Sequence, residues 1–116
     1  MNVLGGLVNN FLQVTMLYDC YQELLTKRQR SLFESYYHEN LSLREVGEVY
    51  KITPQAARDN IKRTEKLLFN YEQKLSILKK YEIKKEIAYA LISEINNLTV
   101  NENKQKALIK KVELLL

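Results

Sequence analysis

The chain has 116 residues and a mass of 13.7 kDa; 46% of its residues are hydrophobic and 28% are charged. This length suggests one domain, with a compact core and room for an appended arm. Three Gly and one Pro are too few for a turn-rich β-sandwich, a β-barrel or a disordered chain, so the composition favours helices. Cys20 is the only cysteine and His38 the only histidine, which excludes an internal disulfide and leaves too few ligands for a zinc site.

The sequence also bears on cellular location. It has no run of about 18 uninterrupted apolar residues, so it predicts no membrane-spanning helix. Residues 1–15 are mildly apolar but carry no Lys, Arg or small-residue cleavage site, which argues against a secretory signal. With the single cysteine, these features predict a cytoplasmic protein that needs no metal or other cofactor.

Positive charge is concentrated in the second half of the chain. Residues 1–53 have a net charge of −1 and residues 54–116 a net charge of +5. This asymmetry is typical of a phosphate-binding surface, but a Lys-rich solvated helix also shows it. Charge alone favours the solvated helix. The cluster that opens the basic half consists of Arg58, Lys62, Arg63 and Lys66.

The first two predicted elements are amphipathic helices. Apolar residues recur at helical spacing from Leu4 to Leu25, although Gly5 and Gly6 weaken the start of this helix. Thr26 then predicts an N-cap, because its hydroxyl can accept a free backbone N–H of the next helix. That helix runs over residues 27–38, with Leu32, Phe33, Tyr36 and Tyr37 along one side, and it ends near Asn40.

A short third helix follows. Ser42 and Glu45 have the spacing of a capping box, in which each side chain satisfies the other residue's backbone donor. Leu43, Val46 and either Val49 or Tyr50 point inward. Gly47 costs roughly 1 kcal/mol relative to Ala in a helix interior, so it indicates a packing constraint, such as the close approach of another helix backbone.

A long fourth helix begins at Thr53-Pro54, where a capping hydroxyl precedes a proline at the first helical position. Without a breaker before Lys80, it predicts a rod about 40 Å long, with a possible bend near Tyr81. Its heptad seam consists of Ala57, Ile61, Thr64, Leu68, Tyr71, Leu75 and Leu78, with a possible continuation through Ile83, Ile87, Leu91 and Ile95.

Asn96-Asn97 interrupts this pattern, and residues 102–116 form a last helix with an apolar face. That face consists of Ala107, Leu108, Val112 and Leu115. The sequence therefore predicts an all-α protein with a tri-helical core, a long helix and a C-terminal helical arm. Its two parts are residues 1–80 and residues 81–116.

The third and fourth helices, joined by a tight turn at residues 51–52, have the pattern of a helix-turn-helix. Ala57 and Ile61 face the core, which turns the opposite face of the fourth helix outward. Gln and Arg can contact base edges and Lys can contact phosphates, whereas Asp59 on the same face repels them. The candidate nucleic-acid-binding residues are Arg44, Gln55, Arg58, Lys62, Arg63 and Lys66.

The run Asp-Asn-Ile-Lys-Arg-Thr-Glu-Lys-Leu-Leu at residues 59–68, with Leu24-Leu25-Thr26, Tyr36-Tyr37 and Leu41-Ser42-Leu43, resembles the YlxM family. These are small bacterial helix-turn-helix proteins related to region four of sigma factors. The similarity covers about residues 17 to 80. The resemblance implies a helical homodimer without enzymatic activity, encoded beside the signal recognition particle GTPase and suspected of regulating that pathway.

The chain departs from the family pattern at three positions in the helix-turn-helix. Lys51 stands in the turn where the family favours Gly, and a left-handed turn disfavours a residue with a Cβ. Pro54 stands where the family favours Arg, and Arg58 where it favours an aromatic residue. Lys62, Arg63 and Lys66 match the family and carry its implied contacts.

Catalysis is not expected. Cys20 lies in an apolar helix stripe, which favours a buried inert thiol over a nucleophile paired with His38, and Gly5-Gly6 lacks the Gly-Lys-Ser/Thr of a phosphate loop.

Two functions remain. One is binding of DNA or of signal recognition particle RNA through the helix-turn-helix. The other is a protein-interaction module that contacts the signal recognition particle GTPase without binding nucleic acid. Both predict a homodimer, because a long apolar stripe would otherwise be exposed at Tyr71, Leu75 and Leu78. With Leu68, these residues form a dimer or packing seam, and the alternative is that part of it packs against the N-terminal or C-terminal helix of the same chain or of a second chain.

Overall fold

The computed structural model describes residues 6–98 and 101–116, and every regular element in these ranges is helical. This confirms the all-α prediction; the predicted first-helix position Leu4 lies outside the described residues. None of the described helices is both long and apolar enough to cross a membrane. The helices are α1 (Gly6–Tyr21), α2 (Lys27–Tyr37), α3 (Leu43–Tyr50), α4 (Pro54–Leu75), α5 (Ile77–Asn96) and α6 (Glu102–Glu113), with a 3₁₀ turn at Gln22–Leu24 after α1.

Side-chain caps fix where the helices of the helix-turn-helix region begin. Thr26, Ser42 and Thr53 each accept the backbone N–H of the residue three positions later, at 3.0–3.1 Å. Gln29 and Glu45 complete capping boxes by accepting the backbone N–H of Thr26 and Ser42 at 2.9 Å. This hydrogen bond lowers the pKa of Glu45, because it favours the carboxylate. The predicted starts of α2, α3 and α4 are confirmed.

The long fourth helix is shorter than the sequence predicts. Helix α4 ends at Leu75, because Ser76 has left-handed backbone angles (φ 53°) that no α-helix can continue. Its 22 residues span about 33 Å, rather than the 40 Å expected for a rod reaching Lys80. The chain divides into two compact units at this point, the first ending at Ser76 and the second comprising Ile77–Leu116, four residues before the predicted boundary.

In the first unit, α4 packs against α1, α2 and α3. The core between α2, α3 and α4 is formed by Leu32, Val46, Ala57 and Ile61, all at most 2% exposed. Tyr50 packs against this cluster, whereas Val49 is 61% exposed, so Tyr50 is the inward residue of the two alternatives. The expected tri-helical core is confirmed, and α1 adds a further layer with Val14, Leu17, Tyr18 and Tyr21.

The turn between α3 and α4 depends on a glycine and on a strained lysine. A Cβ on Gly47 would lie 2.6 Å from the Ile52 carbonyl oxygen and 3.3 Å from the Pro54 nitrogen. The constraint on Gly47 is therefore the backbone of the turn together with the start of α4, which includes the close approach of another helix backbone that the sequence predicts. Lys51 has φ 56° and ψ 45°, the left-handed conformation expected from its place in the turn, and Ile52 donates to the Gly47 carbonyl at 2.9 Å.

Three tyrosine–carboxylate hydrogen bonds join the helices of the first unit. Tyr18 of α1 donates to Glu34 of α2, Tyr21 of α1 donates to Glu72 of α4, and Tyr37 of α2 donates to Glu65 of α4. Burial, followed by the hydrogen bond to the carboxylate, raises the pKa of both Tyr18 and Tyr37 well above the ordinary value.

The second unit is a pair of packed helices, α5 and α6. Asn101 caps α6 by accepting the Lys104 N–H at 2.8 Å, and the Gln105 amide donates to the carbonyls of Ile95 and Leu98. The apolar faces expected on α5 and α6 are mostly exposed to solvent. On α5, Ile95 is buried, and the exposed residues are Ile83, Ile87 and Leu91. On α6, Val112 is half-buried, and the exposed residues are Ala107, Leu108 and Leu115.

We expect Gly47→Ala to lower the free energy of unfolding by about 1–2 kcal/mol. The added methyl group meets a backbone carbonyl, which no rotamer change can move, and such overpacking costs roughly 1–3 kcal/mol against the gain of up to about 1 kcal/mol in helix propensity. Urea unfolding followed by circular dichroism measures the difference. Val49→Ala, on the exposed side of the same helix, is the control and is expected to change stability by less than about 0.5 kcal/mol. A Gly47→Ala protein as stable as the native chain would contradict the steric account.

We also expect stability to fall steeply in alkaline solution. Because Tyr18 and Tyr37 bind their protons more tightly in the folded state, the stability they provide is present below about pH 10 and is lost as the pH rises further. The Tyr18→Phe/Tyr37→Phe protein is expected to be less stable at pH 7, where two hydrogen bonds are missing, yet to lose less stability between pH 9 and pH 11. Urea unfolding at each pH tests this, and parallel losses in the two proteins would count against it.

Candidate nucleic-acid interface

The exposed face of α4 is set by what its opposite face buries. Ala57, Ile61, Thr64 and Leu68 are buried at steps of four, three and four residues. Residues about half a helical turn away from these must therefore point outward. The predicted outward positions Gln55, Arg58 and Lys62 are all exposed.

Three of the predicted basic residues form one stripe. Arg58, Lys62 and Lys66 follow each other at intervals of four residues, which places them along one side of α4, and all three are exposed. Arg63 is also exposed but lies about 100° further round the helix from Lys62, so it belongs to a different side. We call Arg58, Lys62 and Lys66 the basic stripe.

The other two predicted contacts are held in local pairs. The Gln55 amide donates to the Asp59 carboxylate at 3.0 Å, one turn along α4. Arg44 lies 3.6 Å from Glu48 on the exposed side of α3. Gln55 and Arg44 therefore already have partners. Arg58, which also points outward from the first two turns of α4, has no hydrogen-bond or ion-pair partner among the described residues.

A small cleft lies beside the basic stripe. It has a volume of about 80 Å³ and is lined by Tyr36, Leu43, Arg58, Ile61, Lys62 and Glu65. The cleft thus brings the end of α2 and the start of α3 against the first two residues of the stripe. The Glu65 carboxylate in its wall accepts the Tyr37 hydroxyl.

A larger cavity, of about 310 Å³, opens next to this cleft and shares Tyr36 with it. We call it the aromatic cavity; it is lined by Asn10, Phe11, Tyr36, Tyr37, Asn40 and Leu41. Sequence reasoning missed this cavity, because it assigned the aromatic residues of α1 and α2 to core faces. The available signal was the Tyr36-Tyr37 pair, since adjacent helical residues point about 100° apart and cannot both face one core.

The four residues of the predicted seam lie on two helices, α4 and α5. Leu68 is fully buried within the first unit, and Leu75 is 44% exposed near the end of α4. Leu78 lies on α5, beyond the left-handed Ser76, so the last heptad step joins two different helices. Tyr71 is half-buried, and its hydroxyl lies 3.5 Å from the Leu24 carbonyl oxygen.

The exposed His38 packs edge-on against Tyr18, with ring centroids 5.5 Å apart. Cys20 is half-buried, not fully buried as expected. Among the described residues, no group of three or more His, Cys, Asp or Glu side chains is placed to hold a metal ion.

Comparison with known proteins extends the similarity over almost the whole chain. Residues 8–114 match the family described as "Putative helix-turn-helix protein, YlxM / p13 like", a longer match than the 17–80 inferred from the motifs. The UPF0122 protein YlxM of Bacillus subtilis is 41% identical over 103 residues, covering 89% of this chain and 93% of the relative. The UPF0122 protein of Bacillus velezensis has the same identity and coverage.

The relative from Oceanobacillus iheyensis is 42% identical over 94 residues, covering 81% of this chain and 90% of its own. The match therefore includes all of the helix-turn-helix and most of the second unit. On this evidence the chain belongs to the YlxM/p13-like family of helix-turn-helix proteins.

Proposed function

We propose that this protein is a non-enzymatic nucleic-acid-binding protein that uses α4, the second helix of its helix-turn-helix. The observation that carries the proposal is the basic stripe, three exposed cations on one side of a helix whose other side is locked into the core. Cations at such spacing neutralise phosphates and release the counterions condensed on the nucleic acid, and this release dominates affinity. Membership of a helix-turn-helix family supports the same proposal.

The proposed binding depends more on phosphates than on base sequence. Gln55, the one amide on the outward face of the first turn of α4, is held by Asp59 instead of being free to contact adenine. Asp59 itself opposes phosphates. The resemblance to the YlxM family makes the RNA of the signal recognition particle a target to be compared directly with DNA, in keeping with a regulatory role in that pathway.

We expect Arg58→Ala/Lys62→Ala to weaken binding at least about tenfold at low salt. Losing two phosphate contacts is also expected to reduce the slope of log K against log salt by about 1.4–1.8, since each contact contributes roughly 0.7–0.9. Fluorescence anisotropy with labelled duplex DNA and with the signal recognition particle RNA measures both quantities.

Lys27→Ala/Arg28→Ala is the matched control, because it removes the same two charges from exposed positions at the start of α2. These residues lie about 15 Å along α2 from Tyr37. Equal weakening by the control would mean that overall charge, not the basic stripe, determines binding. No binding of either nucleic acid at micromolar protein would refute the proposal.

A second function, association with another protein chain, is favoured by the open side of α5. Leu78, Ala88 and Ile95 are buried, whereas Ile83 and Ile87 are 47% and 55% exposed one turn apart. A helix that is apolar on both sides normally has both sides covered. We infer that this exposed stripe, which belongs to the expected continuation of the seam, contacts a second copy of the chain.

We expect Ile83→Asp/Ile87→Asp to convert a dimer into a monomer, because a charge in an apolar interface cannot be paired. Sedimentation velocity at tens of micromolar measures the mass, and Lys84→Ala/Lys85→Ala on the same helix is the control. A native protein that sediments as a monomer would remove the dimer. The GTPase of the signal recognition particle, assayed with and without the native protein, tests the heterologous partner that the family resemblance suggests.

A further inference from the structure

The rings of the aromatic cavity pack against one another and against a buried residue beneath them. One face of the Tyr37 ring stacks on the buried Phe33, with centroids 4.4 Å apart, and the Tyr37 hydroxyl donates to Glu65. Tyr36 stands nearly perpendicular to Tyr37, at 85° and 5.1 Å, and Phe11 is tilted by 47° at 5.6 Å from the same ring. The three rings therefore form an aromatic wall that is only partly covered, since Phe11 is 45% exposed.

The lining of this cavity selects a planar, uncharged ligand. Besides the rings and Leu41, it contains the amides of Asn10 and Asn40, which can both donate and accept hydrogen bonds, and none of the six residues carries a charge. Its volume of about 310 Å³ lies at the lower end of the range for small-molecule sites, roughly 300–1,000 Å³. Aromatic faces with amide edges are the chemistry that holds a nucleobase.

The neighbouring cleft supplies positive charge for the phosphate that is attached to such a base. Tyr36 lines both spaces, and the cleft adds Arg58 and Lys62 of the basic stripe. The cleft also contains Glu65, whose carboxylate opposes a phosphate there but already accepts the Tyr37 hydroxyl. A neutral aromatic space that shares Tyr36 with a cationic one matches the base and the phosphate of a nucleotide.

These two adjoining surfaces fit a single strand and not a duplex. A base that is paired and stacked within a duplex cannot enter a cavity between α1 and α2, whereas an unpaired base can stack on exposed rings. Single-strand binding proteins combine the same two elements, a cationic track and aromatic platforms. We propose that the aromatic cavity binds an unpaired base of a single-stranded nucleic acid while Arg58 and Lys62 hold its phosphates, an inference that rests on the nucleic-acid binding proposed above.

The test uses three labelled probes of one mixed sequence in anisotropy titrations: single-stranded RNA, the corresponding single-stranded DNA, and that DNA annealed to its complement. The native protein is expected to bind the single strands at least about tenfold more tightly than the duplex at equal salt. The RNA and DNA strands distinguish the two sources of an unpaired base, and tighter binding of either one supports the proposal.

The variants separate stacking from charge. Tyr36→Leu and Phe11→Leu are each expected to weaken single-strand binding roughly 5- to 100-fold without changing its salt slope, because they remove a ring and no charge. Tyr36→Phe keeps the ring and is expected to bind like the native protein. Circular dichroism verifies folding, and if Tyr36→Leu is unfolded, Phe11→Leu carries the test, since its side chain is exposed.

Failure of this proposal is distinguishable from failure of the proposed function. If nucleic acid binds but the duplex binds as tightly as the single strands, or if the folded ring variants bind like the native protein, the cavity is not a base site although the basic stripe still binds phosphates. If no probe binds the native protein, both proposals fall together.

Discussion

The geometry of the helix-turn-helix depends on the close approach of one carbonyl to one glycine. The Ile52 oxygen occupies the space that a Cβ of Gly47 would need, and this approach lets one helix end at Tyr50 and the next begin at Pro54, with three residues between them. Lys51 takes a left-handed conformation in the same turn, at a cost of roughly 1–3 kcal/mol that the surrounding contacts offset. With the turn fixed in this way, Val46 and Ile61 meet across it, and the outward side of α4 follows from their packing.

Local signals in the sequence were sufficient for much of this arrangement. The caps at Thr26, Ser42 and Thr53 involve groups three residues apart, and such short-range hydrogen bonds can be inferred from spacing alone. The end of α4 could not be inferred, because Ser76 has neither the freedom of Gly nor the restriction of Pro, yet it adopts φ 53°. The aromatic cavity was also missed, since it combines Phe11 of α1 with the end of α2, and periodicity along one helix does not report which second helix packs beside it.

The candidate site combines two kinds of surface that sequence patterns describe separately. Basic residues at intervals of four were visible as a charged face, and aromatic residues were visible as part of a core stripe. In the fold, Tyr36 belongs to both, because it lies between the aromatic cavity and the cleft that contains Arg58 and Lys62. Lys62 and Lys66 of the basic stripe match the family pattern, whereas Arg58 departs from it. The residues of α1, Asn10 and Phe11, complete the cavity that Tyr36, Tyr37, Asn40 and Leu41 begin.

The three tyrosine–carboxylate pairs affect more than the packing of the helices that they join. Glu34, Glu65 and Glu72 are half-buried, and each directs a carboxylate oxygen toward a phenol from another helix. Three of the chain's fourteen acidic side chains are thereby turned back toward the protein, whereas Arg58, Lys62 and Lys66 extend into solvent. These three carboxylates therefore oppose an approaching polyanion less than an exposed carboxylate such as Asp59 does, because they sit deeper than the cations of the basic stripe.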